Sequence, residues 1–417
     1  MTFGRWGTAK TTVPQLAAKA AQLDVPVNIT PEALQQRMTA RAVAFLQDLL
    51  QTAFAKLQTE ATICEEGIFA PFARVHIVDS TGFGLPESLA KECPGAGGSG
   101  SKAGAKIQLV WEYKRHTFDH FALIPWNVPD SKYVDTVVEL ARAASLFLFD
   151  LGYFKLAAFA KSVAAQAYFL SRLNHQTTLR EVIGGRQQVL DLANSLARAS
   201  CPVVEKAIVL GAYDRVPARL IAVRMPEAIV NERRRQAYAV AKQRGYTPSQ
   251  KHLTLMAWNL FITNVPATVW PPKTVAMAYT LRWQVELVFK TWKSGVHLAT
   301  LTTTTKHSTL CYLYGRMLLI LLTSALSSPL RSNLWLQQHR ELSLFKLVRH
   351  LQANADSWLQ HLFRPPLQLA RFLSRLCATA ERLVRKAVRK RRTSAQCLRD
   401  SLGAQVDFFE PALALAA

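Results

Sequence analysis

The sequence predicts a mixed α/β fold, a sheet with flanking helices interrupted by a β-rich insertion and bracketed by helical N- and C-terminal parts. Three observations carry this. Residues 71 to 173 alternate strand-like and helix-like runs. Continuous apolar runs such as Leu146-Phe147-Leu148-Phe149 suit strands buried on both faces. Short strand-like runs then cluster between 174 and 268 before helical periodicity returns.

In order, Thr30-Pro31-Glu32 opens a helix, with a capping hydroxyl, Pro in the first turn and an early acid. Ala33 to Leu57 continues it at helical spacing, as a small DNA-contacting domain or a helical support. Arg74-Val75-His76-Ile77-Val78-Asp79 reads as a strand ending in an acid. Residues 94 to 105 form a Gly/Ser-rich loop without the spacing of a phosphate-binding P-loop. Lys106 to Tyr113 and Thr117 to Ile124 read as two strands about a polar turn, and Asp130 to Ala144 as a capped helix. The apolar strand ending at Asp150, a helix over Lys155 to Ala165 and a strand over Ala167 to Leu173 complete the unit.

The insertion holds strand-like runs at Ala207 to Leu210, Ala218 to Val223 and Leu253 to Thr263, around a basic helical stretch, Asn231 to Arg244. One helix from Lys273 to Lys293 follows, then an apolar stretch, Leu310 to Leu326. That stretch is short for a membrane span and contains Arg316, so a buried helix and no membrane partner are expected. The C-terminal part is helical and increasingly basic, densest at RLVRKAVRKRR (Arg382 to Arg392). The expected divisions are 1–68, 69–173, 174–268, 269–330 and 331–417, the second and fourth forming one core.

Composition narrows the function. Lys and Arg number 51 against 28 Asp and Glu, a formal charge of +23, with half the residues hydrophobic. A folded chain with this excess expects a polyanion, with nucleic acid the first candidate. The six cysteines, at 64, 93, 201, 311, 377 and 397, contain no Cys-x-x-Cys pair, which argues against a zinc module and for a reducing cytoplasm. The N-terminal residues lack the apolar core of a signal peptide.

The chemistry concentrates in YTLRWQVELVFKTWK. On one continuous helix, Tyr279, Arg282, Glu286, Lys290 and Lys293 fall within an arc of roughly 80°. That face combines a carboxylate, able to hold a divalent metal, with cations and a phenol suited to phosphate. The same spacing also permits plain helix salt bridges, Arg282 to Glu286 and Glu286 to Lys290. Asp79 and Asp150, each closing an apolar strand, add two acids where sheets gather ligands, although a strand-terminal Asp also serves as a turn cap.

The chain resembles the DDE transposases of bacterial insertion sequences, in the "IS-four" branch that carries the Tyr-Arg-Glu-Lys signature. The signature spacing is complete at Tyr279, Arg282, Glu286 and Lys293, flanked by Trp283, Lys290, Trp292 and Gly295. Ile77-Val78-Asp79-Ser80-Thr81 and Asp150-Leu151-Gly152-Tyr153-Phe154 are similar to the first- and second-Asp blocks, with Tyr168 to Arg172 following. The resemblance spans roughly residues 30 to 330. It implies an RNase H-like core interrupted by the β-rich insertion. It implies Asp79, Asp150 and Glu286 as catalytic ligands of two Mg²⁺ ions, with Mn²⁺ as substitute. It implies Tyr279, Arg282 and Lys293 on the DNA-end phosphates. Lys290 and Arg172 are further candidate DNA contacts, Arg172 with a surface salt bridge as the alternative. Trp258 lies near the place where relatives stack a flipped base, with ordinary packing as the alternative.

The expected function is then a bacterial cytoplasmic, nucleoid-associated transposase. It would bind the terminal inverted repeats of its own element and pair two ends as a homodimer in a synaptic complex. It would cut the ends and join their 3′-hydroxyls to target DNA. The alternatives are a catalytically silent domesticated DNA-binding protein or repressor, which has no use for three acids, and a stand-alone structure-specific nuclease, which lacks strand joining.

Overall fold

The computed structural model describes residues 12–22, 27–57, 67–97, 100–301, 305–338, 340–354, 357, 361 and 364–387. Of the basic run expected to be helical over Arg382 to Arg392, residues 388–392 lie outside the described residues. The chain forms two units by internal contacts: 1–64, 80–128 and 284–390 make one, and 65–79, 129–283 and 391–417 the other.

The second unit carries most of the sheet. Its strand order is β1-β4-β5-β10-β9-β8-β6-β7, with β1 at Arg74–Leu85, β4 at Ser145–Phe149, β5 at Tyr168–Arg172, β6 at Leu179–Ile183, β7 at Arg186–Val189, β8 at Val203–Leu210, β9 at Val216–Arg224 and β10 at Trp258–Thr263. β1, β4 and β5 run parallel, whereas β10 joins β5 antiparallel and every later pairing is antiparallel. Parallel neighbours need crossovers; α4 (Asp130–Val138) precedes β4, and α5 (Leu156–Ala164) links β4 to β5. All five residues of β4 are buried, as its unbroken apolar run requires. The insertion adds α6 (Leu192–Ala197), α7 (Glu227–Arg244) and α8 (Gln250–Leu255), and α9 (Pro272–Thr280) follows β10.

In the first unit the order is β3-β2-β1, with β2 (Ala103–Glu112) antiparallel to β3 (Thr117–Pro125). The succession β3-β2-β1 and then β1-β4-β5 is the strand order of an RNase H-like fold, as expected. The first unit also holds α1 (Val13–Ala20), α2 (Pro31–Arg37), α3 (Ala40–Leu57), α10 (Trp283–Ser294), α11 (Lys306–Gln338), α12 (Leu344–Ala353) and α13 (Pro366–Leu383). Leu16, Met38, Val43 and Leu46 pack with Cys311 and Tyr312 of α11, so the N-terminal helices support the long apolar helix.

α11 is the one helix among the described residues long and apolar enough to cross a membrane by length and composition, and 56% of its most apolar window is buried inside the protein. Arg316 in its middle is buried and donates to the carbonyls of His297 (2.6 Å) and Thr300 (2.8 Å). Burial lowers its pKa to about 10. It ties the loop after α10 to the helix, the role of a buried core helix that the sequence suggests.

Several expectations need correction, among them the helix opened at Thr30, which is two, α2 and α3, parted at Met38 and Thr39. The strand at Asp79 does not end there: β1 continues to Leu85, and the Trp126 ring packs against Gly82 where a Cβ would stand. The helix after Asp130 stops at Val138 and takes Pro129 at its N-cap position, with no side-chain cap. Leu253 to Leu255 belong to α8, capped by Ser249, and only Trp258 onward is strand. The helix expected from Lys273 to Lys293 is two helices, α9 and α10, parted at Leu281 and Arg282.

The core beneath β1 turns on Trp270. It is 1% exposed, donates from Nε1 to the Ile68 carbonyl at 2.9 Å, and meets Phe72 edge-on at 4.9 Å. Trp270→Ala is expected to cost about 3–5 kcal/mol of unfolding free energy, read from urea denaturation. A loss below about 1 kcal/mol would contradict this packing.

Candidate functional site

The parallel register decides where the acids fall. Val78 of β1 stands opposite Phe149 of β4. The next residues are Asp79 and Asp150, so both acids emerge side by side as the β1–β4 pairing ends. Neighbouring strands lie about 4.8 Å apart, and two carboxylates at that spacing repel unless a cation is shared.

Arg282 supplies the shared cation. Its Nη1 donates to Asp79 Oδ2 at 3.1 Å, and its Nε lies 3.8 Å from Asp150 Oδ1. The Arg282 and Asp79 side chains are only 14% and 16% exposed, and Asp150 is 41% exposed. Arg282 reaches them from the break between α9 and α10, where its amide bonds to the Tyr279 carbonyl in a tightened turn (3.1 Å).

Tyr279, in the last turn of α9, is buried and packs on Phe261 of β10 at 5.2 Å. Its hydroxyl is buried beside Arg282 and Asp150 yet forms no well-aligned hydrogen bond among the described residues. Burial pushes the phenol above its usual range, Arg282 opposes this and Asp150 reinforces it, with Arg172 a lesser opposing charge. Phenol, guanidinium and carboxylate therefore share one locality with Arg172.

Arg172 ends β5 and lines a cleft of about 390 Å³ with Leu151, Arg233, Tyr246, His252 and Trp258. Trp258 begins β10, is 4% exposed, and has the Arg224 guanidinium over its ring at 4.7 Å. Arg233, from α7, donates to Asn259 Oδ1 at 2.7 Å and to the Met256 carbonyl at 3.3 Å. Burial, aided by repulsion from Arg172, lowers its pKa. Sequence reasoning misses Arg233; it lies in the basic stretch of the insertion, but nothing in that run marks one arginine as inward-facing.

Glu286, Lys290 and Lys293 sit on α10, in the first unit. Glu286 is half-buried, while both lysines are exposed. The five signature residues do not share one continuous helix: Tyr279 and Arg282 precede α10 and the other three lie on it. Among the described residues no group of three His, Cys, Asp or Glu side chains is gathered as a metal cage. The pair Asp79 and Asp150 offers hard oxygen donors held together by a cation, which fits a divalent ion of the Mg²⁺ or Mn²⁺ kind.

An RNase H-like sheet with two aspartates emerging at its parallel strands defines a class of phosphodiester-processing proteins. Residues 70–322 match the transposase DDE domain family, and the chain belongs to that family, as a transposase of insertion sequences. It is 28% identical over 406 residues to the transposase for insertion sequence element IS231B of Bacillus thuringiensis subsp. berliner, covering 93% of this chain and 84% of that protein. It is 29% identical to the transposase for IS231D of B. thuringiensis subsp. finitimus, covering 83% of this chain and 76% of the other. It is 26% identical to the transposase for IS1151 of Clostridium perfringens, covering 88% and 81%. Among solved structures, a piggyBac transposase synaptic complex with hairpin DNA aligns with 78% of this chain and 60% of its own, at 13% identity and a TM-score of 0.39.

A buried hydroxyl whose polar neighbour Arg282 is poorly aligned adds little to stability. Tyr279→Phe is therefore expected to leave the melting temperature unchanged or raise it, while steps at the cleaved DNA end slow. A time course of nicked, double-cut and joined products, with melting curves in parallel, checks this. Early melting with a normal product distribution would make Tyr279 a packing residue only.

Proposed function

We propose that this transposase binds the terminal inverted repeats of its own element, cuts the ends by metal-dependent phosphodiester chemistry and joins the 3′-hydroxyls to target DNA. The observation that carries this is the placement of Asp79 and Asp150 at adjacent ends of parallel pairing, with Arg282 and Tyr279 beside them.

Asp79 and Asp150 are the metal ligands in this reading, and the family resemblance adds Glu286. A bound pair of Mg²⁺ or Mn²⁺ ions supplies charge stabilisation for in-line displacement at phosphorus. The chain's own residues do the positioning. Arg282 offers a planar fork to a phosphate, and the Tyr279 hydroxyl offers a donor to the same group. Arg172, with no acidic partner among the described residues, offers a further cation. Lys290 and Lys293 extend solvent-exposed charge toward the DNA backbone. Trp258 offers an aromatic surface to an unstacked base once Arg224 yields. Each transesterification conserves a phosphodiester bond, so no nucleotide cofactor is required. Two ends are held together by a pair of protomers, and the formal charge of +23 suits such an assembly on DNA.

Two measurements test the reading. Asp79→Asn and Asp150→Asn, and Glu286→Gln with them, are expected to abolish cleavage while end binding, followed by gel shift, stays largely intact. Near-normal cleavage by any one removes that residue from the site. Binding is also expected to fall steeply with salt, with a slope of log K against log salt steeper than about −4, since each duplex phosphate neutralised contributes about −0.9. A flat response would assign the positive charge another purpose. Strand-transfer products from pre-cut ends separate a transposase from a nuclease.

A further inference from the structure

Arg282 is asked to serve two partners. The acids hold it now, and the phosphate of a DNA end is its partner in the reading above. One guanidinium cannot serve both at full strength. An Asp79 carboxylate already shared with Arg282 at 3.1 Å is also a weaker donor to a divalent ion than a free one. An arginine does not relieve this competition by losing its proton; only a displacement of the side chain relieves it.

Arg282 stands in the two-residue break between α9 and α10. A side chain rooted there is not confined to the outer face of a continuous helix. Its contacts with the two acids are also unequal. That to Asp79 is a hydrogen bond, whereas that to Asp150 is a 3.8 Å approach outside hydrogen-bonding range. Asp150 is also the more exposed of the two. A phosphate drawing the guanidinium away would therefore release Asp79 most.

We infer that Arg282 is an internal counter-ion that keeps Asp79 and Asp150 from binding metal until the phosphate of a DNA end takes the guanidinium, so that metal and DNA load together. The inference rests on the reading of the two aspartates as metal ligands. Without DNA, the guanidinium offsets part of the charge of the two acids and lessens their mutual repulsion. With DNA, the cation is transferred from carboxylate to phosphate, and the vacated oxygens meet a divalent ion. By linkage, whatever factor DNA adds to metal affinity, metal adds to DNA affinity.

The test is a Mn²⁺ titration of the full chain, with free Mn²⁺ read by electron paramagnetic resonance. It is run alone and with a duplex ending at the element's terminal nucleotide, which leaves nothing to cleave. Wild-type protein is expected to bind Mn²⁺ about tenfold more tightly with the duplex, within the usual range of coupling between sites. Arg282→Gln is expected to bind Mn²⁺ about tenfold more tightly than wild type without DNA, with little further gain from the duplex. Arg282→Lys, which keeps the charge, is expected to restore the weak affinity. Equal or weaker Mn²⁺ binding by Arg282→Gln in the absence of DNA overturns the inference. So does the absence of any duplex effect on wild-type Mn²⁺ affinity, a readout that does not depend on the folding of a variant. Asp79→Asn and Asp150→Asn serve as the separate control. If they bind Mn²⁺ as wild type does, the reading of the acids as metal ligands fails, whatever Arg282 does.

Discussion

The register of β4 against β1 is the constraint from which the site follows. Because Val78 faces Phe149 in parallel, the next residue on each strand is an aspartate, and both arrive at one place. A shift of one residue would turn each side chain to the opposite face of the sheet. The register is in turn fixed by burial. Ile77, Val78, Leu148 and Phe149 are fully buried, so a slip would carry apolar side chains out of the core or charge into it. His76 set against Phe147 at 4.7 Å adds a further matched pair. The precision of the acid pair is thus a by-product of packing that has nothing to do with phosphate.

The neighbours of that pair are arranged to meet charge. Arg282 lies between the two carboxylates, and Tyr279 brings a hydroxyl into a buried position without a well-aligned partner among the described residues. Folding alone gives no reason to bury a phenol in this way, since Phe would fill the same space against Phe261 without the desolvation cost. The break between α9 and α10 serves the same end. A continuous helix would fix Arg282 one turn before Glu286 on the same face, where the two would satisfy each other. From the break, Arg282 reaches the strand-end acids.

Much of this is legible in the sequence, and the parts that are not share one cause. Buried parallel strands announce themselves by unbroken apolar runs, which place β4 and β5 almost to the residue. The acids stand out because each follows such a run. Where local pattern competes with tertiary context, sequence reasoning errs. Asp79 looks terminal because its apolar run ends there, yet β1 continues through residues whose only sequence signal is Gly82 and Gly84. YTLRWQVELVFK has no Gly or Pro to mark a break, so two helices read as one; the turn at Leu281 is fixed by tertiary packing, Leu281 being fully buried. The convergence of Asp79 and Asp150, 71 residues apart by their numbering, follows from family resemblance and not from spacing, because register between distant strands leaves no local trace.

The insertion is joined to the site through the sheet itself. β10 pairs with β5 on one side and with β9 on the other, so the added strands extend the sheet that bears the acids instead of hanging from a linker. Consequently Trp258 and Arg172 come from neighbouring strands, and α7 can deliver Arg233 to the same cleft. Arg233 has neutral acceptors there, Asn259 and Met256, so the two arginines raise each other's electrostatic energy. A fold gains nothing from such a pair by itself. An anion entering the cleft would relieve both at once. The acids meet the same logic from the opposite sign, with Arg282 as their cation.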